Sequence, residues 1–119
     1  MSSFNDGIIY VYEEIIKKNS FGVKENIKSL KDLKLLDTYF FKEESARQQD
    51  ITFARSLDKK LTLKISIPYT DNIKNKDCIV ICNMLYSIIH IDSSKSQKKT
   101  FIYLEGIREI ERADYWRRC

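Results

Sequence analysis

Glycine and proline are scarce in this chain of 119 residues, which contains three glycines and one proline. Gly7, Gly22 and Gly106 lie far apart, so neither a dinucleotide-binding nor a triphosphate-binding glycine motif can be built from them. No linker rich in glycine or proline divides the sequence, and no repeat of about 20 to 50 residues occurs. The absences exclude the common nucleotide-binding loops and favour one domain over residues 1–119.

Long apolar segments are also missing. The run from Cys78 to Cys82 is far shorter than the roughly 20 residues that a membrane-spanning helix needs. The first residues, Met1 to Asp6, lack the basic stretch followed by an apolar stretch that marks an export signal. The sequence therefore predicts a protein that neither crosses a membrane nor is exported.

Cysteine and histidine are too few for a typical metal site. Cys78, Cys82 and the single histidine, His90, lie in the segment CIVICNMLYSIIHID. An odd number of cysteines without an export signal predicts reduced thiols rather than disulfides. A closed zinc site needs four ligands with paired spacing such as C-x₂-C, whereas these cysteines have the spacing C-x₃-C. We interpret the two thiols as small buried core groups and His90 as a strand-edge residue, with no metal or cofactor.

Paired carboxylates occur at Glu13 with Glu14 and at Glu43 with Glu44. Adjacent residues on a strand point in opposite directions, so neither pair can act together as an acid and a base. We interpret both pairs as solvated. The sequence therefore predicts no catalytic residues and a protein that is not an enzyme.

The residues that are abundant describe a folded protein with a modest positive charge. The chain is 43% hydrophobic and 12% aromatic, and 21 basic residues against 17 acidic ones give a net charge of +4. Such a small excess indicates nucleic-acid binding only where basic residues cluster. A lysine cluster lies at Lys95, Lys98 and Lys99. A second cluster, with two aromatic residues, consists of Arg112, Tyr115, Trp116, Arg117 and Arg118.

Strands dominate the predicted secondary structure. Residues 8–12 and 35–42 are rich in β-branched and aromatic side chains, which favours strands. Residues 61–67 alternate strictly between apolar and polar side chains, and Pro68 ends that strand. These segments predict the first three strands. Tyr10, Tyr12, Tyr39 and Phe53 lie within apolar patterns, which predicts that they are core residues rather than exposed for base stacking.

The remaining strands follow a polar loop over residues 70–77. Residues 78–82 and 85–91 predict a hairpin, in which Asn83 would adopt the positive φ of a tight turn. Alternation places Tyr86, Ile88 and His90 on one face of the second strand of that hairpin. Residues 100–104 predict the last strand, which Gly106 would end.

One helix is predicted over about residues 45–57, between the second and third strands. Ser45 can cap its first turn, and the charges of Arg47, Asp50 and Arg55 need not be buried. The predicted core-facing stripe contains Ala46, Gln49, Phe53 and Leu57.

Three further segments carry no clear strand pattern. Residues 17–34 predict either a short amphipathic helix or a long solvated loop, and residues 93–99 a flexible loop without apolar anchors. Residues 107–119 predict either a short helix or an extended arm.

The order of these segments resembles a known family. The motifs that carry the likeness are GIIYVYEE, KEESARQQDITFARSLDKK, LTLKISIPY, CIVICNMLYSIIHID with its N-x-x-Y-x-I pattern, and FIYLEGIREI. Together with the polar residues Arg47, Gln49, Asp50 and Tyr86, they resemble the head-tail connector proteins of tailed bacteriophages and prophages, which are also called head-completion, stopper or adaptor proteins. The likeness covers about residues 7–110.

The resemblance implies a fold and a function. The expected fold is mainly β, a small antiparallel β-barrel with one helix inserted between strands two and three. The expected function is a structural subunit of the virion neck, assembled in the bacterial cytoplasm, which forms a ring with copies of itself between portal and tail. Its partners would be the portal or portal-adaptor protein, the tail terminator and the packaged double-stranded DNA, and no cofactor or membrane is needed.

Within this expectation, Lys95, Lys98 and Lys99 are candidates for a loop that faces the DNA channel, although a lysine run is more often simply solvated. The arm with Arg112 to Arg118 is a candidate partner-binding segment. Two alternatives stay open: a tail terminator or completion protein of the neck, and a nucleic-acid-binding barrel of the OB type.

Overall fold

The computed structural model describes residues 6–14 and 33–109 of the chain. In order, these residues form β1 (Gly7–Glu14), β2 (Leu33–Glu44), α1 (Gln48–Ser56), β3 (Leu63–Pro68), β4 (Cys78–Ile81), β5 (Met84–Ser94) and β6 (Lys99–Glu109). All strand pairs are antiparallel, and the described strands close into a barrel with the order β1-β2-β3-β6-β5-β4. The expected fold class, a small antiparallel β-barrel with a helix between β2 and β3, is confirmed.

The barrel interior is filled by branched aliphatic side chains. Ile65 and Ile67 of β3 are fully buried there, as their alternation with polar residues predicted. The buried inner cluster consists of Ile9, Val11, Phe41, Ile65, Ile67, Ile73, Ile79, Ile88, Ile102 and Leu104. A second apolar cluster on the outer side of β1, β4 and β5 contains Tyr10, Tyr12, Val80 and Leu85. The expectation that Tyr10 and Tyr12 are core residues is therefore confirmed.

The start of β1 requires glycine. Gly7 has a φ of 151°, and a Cβ atom at this position would lie 2.9 Å from Cε1 of Phe41. Any side chain would therefore meet both an unfavourable backbone conformation and the ring of a buried core residue.

The β4–β5 hairpin forms, but its turn differs from the prediction. Ile81 pairs with Met84, so the turn residues are Cys82 and Asn83, and Cys82 rather than Asn83 carries the positive φ, 58°. The prediction for Asn83 was wrong because the second strand begins one residue earlier than expected. Cys78 and Cys82 are half-buried, whereas fully buried thiols were expected.

A bulge in β5 overturns the expected alternation. The pairing with β6 shifts between Ile88 and His90, so one extra residue, Ile89, is inserted. Ile88 stays in the inner cluster while Ile89 packs with the helix on the outer side. His90 is exposed and contacts rings on that outer side, so it does not share a face with Tyr86 and Ile88.

The last strand is longer than predicted. Gly106 does not end it, because β6 runs from Lys99 to Glu109. The Gly106 N–H donates to Oγ1 of Thr62 at 3.0 Å, and the residue pairs with Tyr86 in the sheet. Gly106 therefore serves as a paired strand position beside a second register shift rather than as a strand terminator.

The helix begins at Gln48, three residues later than the first predicted position. Arg47, not Ser45, is its N-terminal cap residue, and the carboxylate of Asp50 accepts the Arg47 N–H at 2.9 Å. The buried residues of α1 are Asp50 and Ala54, whereas Phe53 and Leu57 are each 45% exposed. The predicted core-facing stripe, and the core role of Phe53, were therefore wrong.

Residues 17–32 of the predicted 17–34 segment and residues 110–119 of the predicted arm lie outside the described residues. Only positions 33–34 of the segment and 107–109 of the arm are described, as parts of β2 and β6. No helix of the described residues is long and apolar enough to cross a membrane.

Candidate functional site

The lysine-bearing segment is a tight turn between two long strands. Because β5 extends to Ser94 and β6 begins at Lys99, the connection contains only residues 95–98, which is shorter than the predicted loop of residues 93–99. Lys95 and Lys98 are exposed at this turn. Among the described residues neither forms an ion pair, so both ammonium groups are available to an anion. We call residues 95–98 the lysine turn.

Hydrogen bonds fix the shape of the lysine turn. The Lys98 N–H donates to the carbonyl oxygen of Lys95 at 3.2 Å, and Lys98 has a φ of 57°. The Gln97 N–H donates to Oγ of Ser94 at 3.3 Å. The Lys98 carbonyl accepts the Tyr69 N–H at 3.1 Å, which ties the turn to the β3–β4 loop. The two lysine side chains therefore project from a backbone that is held in place.

A buried threonine supports the base of the lysine turn. Thr100 is fully buried, and its hydroxyl donates to the carbonyl oxygen of Thr70 at 2.9 Å while it accepts the Thr70 N–H at 3.0 Å. The Ser93 hydroxyl also donates to the Thr70 carbonyl, at 3.2 Å. These bonds satisfy polar groups of the β3–β4 loop and join it to the β5–β6 hairpin.

Lys99 has a different environment from Lys95 and Lys98. Its Nζ lies 3.9 Å from Oε2 of Glu44, and both side chains are mostly buried. The same carboxylate oxygen accepts the Ser66 hydroxyl at 2.6 Å. Glu44 therefore offsets the charge of Lys99, and Lys95 and Lys98 carry most of the turn's free positive charge.

A buried ion pair beneath α1 is the most polar feature of the described interior. Asp50 lies on the buried face of the helix, and its Oδ2 is 3.1 Å from Nζ of Lys64 on β3. Arg47 donates to the same carboxylate from its backbone N–H at 2.9 Å, from Nε at 3.2 Å and from its terminal guanidinium nitrogen at 3.1 Å. Oδ2 of this carboxylate thus accepts from three donors and Oδ1 from one.

Aromatic rings enclose the ammonium group of Lys64. It lies 5.2 Å from the ring centroid of Tyr103 and 5.5 Å from that of Phe101, both on neighbouring strand β6. His90 contacts Tyr103 on one side and Phe53 on the other, with ring centroids 5.6 and 5.4 Å apart. The cation is stabilised by one carboxylate and by two ring faces.

The pKa of Asp50 reflects these contacts. Burial alone would raise the pKa of this carboxyl, but the hydrogen bonds from the side chain and backbone of Arg47 and the contact with Lys64 lower it to about 2. Asp50 is therefore ionised at any physiological pH. A carboxylate that is ionised at physiological pH and accepts from both Arg47 and Lys64 is suited to fixing the helix and unsuited to proton transfer.

The sequence did not reveal this ion pair, although part of its signal was present. The spacing of Arg47 and Asp50 fits a reciprocal N-terminal cap, in which the third helical residue accepts the cap N–H. Lys64 is a cation within a strand, between half-buried Leu63 and buried Ile65, but only the barrel geometry brings it under α1.

The described structure does not bring Cys78, Cys82 and His90 together. Among the described residues, no group of three or more histidine, cysteine or acidic side chains is arranged to hold a metal ion. Cys78 and Cys82 lie at the β4–β5 hairpin, whereas His90 lies beside α1 on the outer side. An open depression of about 450 Å³ lies between the end of β2 with the segment that follows it and the start of β3, and is lined by Glu43, Glu44, Ser45, Ala46, Thr62, Leu63 and Lys64.

The predicted partner-binding residues Arg112, Tyr115, Trp116, Arg117 and Arg118 lie outside the described residues. Their role stays a prediction from the sequence.

No protein-family model matches the chain, and no curated protein matches it.

Proposed function

We propose that this protein is a structural subunit of the neck of a tailed bacteriophage or prophage. In this role, copies of the chain form a ring between the portal and the tail, join the head to the tail and help to retain the packaged DNA. The observation that carries the proposal is the closed antiparallel barrel with a single helix between β2 and β3, because the sequence resemblance to head-tail connectors implied this arrangement.

The lysine turn supports a channel-facing role. Lys95 and Lys98 are exposed, and the turn's hydrogen bonds hold its backbone in place. Repeated around a ring, these two lysines would form a collar of positive charge that attracts DNA phosphates. Lys99 would contribute less than the sequence predicted, because Glu44 lies 3.9 Å from its ammonium group.

The aromatic residues favour a structural subunit over an OB-type nucleic-acid binder. A single-strand binder presents aromatic side chains on an open sheet surface, where bases stack on them. Tyr10 and Tyr12 are each only 8% exposed, and Tyr103 is 7% exposed beside Lys64. Tyr10, Tyr12 and Tyr103 therefore contribute to packing and favour the connector, whereas Phe40 and Phe53 are 62% and 45% exposed, so the OB-type alternative stays open.

A binding experiment separates the connector from a tail terminator. The purified protein is mixed with portal-containing capsids and, separately, with isolated tail tubes of the phage that encodes it, and particle-bound protein is measured after sedimentation. The proposal predicts stoichiometric binding to the portal vertex of the capsids and none to tail tubes alone. Binding to tail tubes without binding to capsids would identify a tail terminator instead. Capsids that lack the portal provide the control.

A further inference from the structure

One apolar surface lies on β1 and β2. Ile8 and Phe40 are directly opposite each other in the antiparallel pair, and they are 38% and 62% exposed. Leu35 and Leu36, farther along β2, are 52% and 43% exposed. We call these four residues the strand patch. Exposed apolar side chains along one strand pair are typical of a surface that another protein covers.

A second apolar surface lies on the helix. Phe53 and Leu57 are four residues apart, so they lie on the same side of α1, and each is 45% exposed. We call these two residues the helix patch. Ala54 and Asp50 on the buried side hold α1 against β5, β6 and β3.

The two patches lie on opposite sides of the barrel. In the closed strand order, β3 lies between β2 and β6, and β4 lies between β1 and β5. The helix packs on Ile89 of β5 and Tyr103 of β6, whereas the strand patch belongs to β1 and β2. Two copies related by a two-fold axis would bury only one kind of patch. A head-to-tail contact buries the strand patch of one copy against the helix patch of the next. Repetition of this contact gives a ring when the rotation from copy to copy closes on itself.

The exposed charges of the elements that carry the two patches are complementary. The described side chains along β1 and β2, including Asp6, present four exposed carboxylates against one exposed lysine. The carboxylates are Asp6, Glu13, Asp37 and Glu43, and the lysine is Lys34. Residues 47–60 present four exposed basic side chains against one exposed acid. The basic residues are Arg47, Arg55, Lys59 and Lys60, and the acid is Asp58. The exposed carboxylates of β1 and β2 on one copy would therefore meet the exposed basic side chains of residues 47–60 on the next copy.

We propose that the strand patch of each subunit binds the helix patch of the next copy of the same chain. This inference rests on the proposed ring assembly and specifies its contact surface. The buried Asp50–Lys64 pair then has a role beyond stability, because it holds the helix, and with it Phe53 and Leu57, at a fixed position on the barrel.

The test uses two surface variants that each damage one patch. Phe40→Lys places a cation in the strand patch, where it repels the exposed basic residues of segment 47–60. Leu57→Glu places an anion in the helix patch, where it repels the exposed carboxylates of β1 and β2. Leu57 is chosen over Phe53 because the Phe53 ring also contacts His90. Backbone amide shifts of isotope-labelled protein are recorded at about 1 mM, a concentration that detects association with a Kd near that value. Lys76→Glu, an exposed change in the β3–β4 loop, is the matched control.

The expected results are specific to a head-to-tail contact. Labelled Phe40→Lys should show shifts in α1 when unlabelled Leu57→Glu is added and none when more Phe40→Lys is added. Labelled Leu57→Glu should show the reciprocal shifts in β1 and β2, and Lys76→Glu should associate with itself as the unaltered protein does. For each variant alone, the Kd of self-association should rise at least about tenfold, equivalent to about 1.4 kcal/mol.

Two results would overturn this inference. One is the absence of shifts in the mixture of the two variants. The other is association of Phe40→Lys with itself through α1, because that result identifies a two-fold contact. If the mixture gives no shifts while the protein still binds the portal vertex, the contact is wrong and the proposed function stands. If the mixture gives the shifts while the protein binds no capsid, the contact stands and the neck assignment fails.

Discussion

Asp50 and Lys64 form an ion pair of 3.1 Å between α1 and β3, and their side chains are only 7% and 9% exposed. Arg47 completes the contacts of the carboxylate, and the rings of Phe101 and Tyr103 cover the ammonium group. Removal of one partner from such a pair leaves an uncompensated buried charge, which costs more than the pair itself contributes. The pair therefore determines where the helix lies.

The first prediction is that the two partners differ in how much their loss costs. Asp50→Asn leaves the Lys64 cation without a carboxylate and should lower the free energy of unfolding by about 3 kcal/mol. Lys64→Met should cost less, about 1 kcal/mol, because Asp50 keeps its hydrogen bonds to Arg47. Urea denaturation measures both values. Asp58→Asn, an exposed change at a position with a φ of 57°, is the control and should have little effect. A cost for Asp50→Asn no larger than that of this control would show that the pair does not hold the helix.

The second prediction concerns acid. The pKa of Asp50 is about 2 in the folded protein, against 3.8 for the unconstrained side chain. Because the folded value is the lower one, the stabilisation is complete above pH of about 4 and is lost as the pH falls towards 2. This contribution to the free energy of unfolding is about 1 to 2 kcal/mol. It is smaller than the full pKa shift would give, because Arg47 is largely exposed to solvent. The difference in unfolding free energy between the protein and Asp50→Asn, measured by urea denaturation from pH 7 to pH 2, should shrink over that range. A difference that stays constant down to pH 2 would contradict the lowered pKa.

The third prediction concerns the β4–β5 turn. Cys82 has a φ of 58°, a conformation that glycine adopts without strain and that β-branched residues adopt poorly. Cys82→Gly should therefore raise the free energy of unfolding by about 0.5 kcal/mol, and Cys82→Val should lower it by about 1 kcal/mol.

The matched control for the turn is the same glycine substitution at Cys78, which lies within β4. There it should destabilise the protein by about 1 kcal/mol, since glycine weakens a strand interior. Equal effects of glycine at positions 78 and 82, measured by thermal and urea unfolding, would contradict the assigned turn.

The strands were predictable because they carry strong local signals, whereas their closure into a barrel was expected only from the resemblance to head-tail connectors. Residues 61–67 alternate between apolar and polar side chains, and the structure places Ile65 and Ile67 in the barrel interior. The position of the helix between β2 and β3 was also predicted. These features depend on the chemistry of neighbouring residues, which a sequence displays directly.

Features that depend on distant residues were not predictable. The face that α1 buries is set by Lys64, fourteen residues beyond Asp50, so a helical stripe chosen for apolar side chains selected Phe53 and Leu57 wrongly. The bulge at Ile89 and the continuation of β6 through Gly106 depend on the pairing between β5 and β6. The extent of the lysine turn depends on the same pairing, which no local pattern in SSKSQKKT displays.

The fourth prediction concerns the lysine turn within an assembled particle. Replacing Lys95 and Lys98 with glutamine should leave the fold intact, because both side chains are exposed and form no ion pair with a described residue. Particles with this variant should lose packaged DNA several-fold more often in dilute magnesium, where phosphate repulsion is strongest. The fraction of emptied heads in electron micrographs measures the effect. Glutamine at Lys74 and Lys76, two exposed lysines of the β3–β4 loop, is the control. Equal DNA retention by both variants would place the lysine turn outside the channel.

The most direct test of the neck assignment is electron microscopy of particles from a phage whose gene for this protein is deleted. The account predicts that capsids and complete tails accumulate separately, that the capsids lose DNA, and that supplying the protein from a plasmid restores joined virions. Normal numbers of joined, DNA-filled virions in its absence would contradict the account.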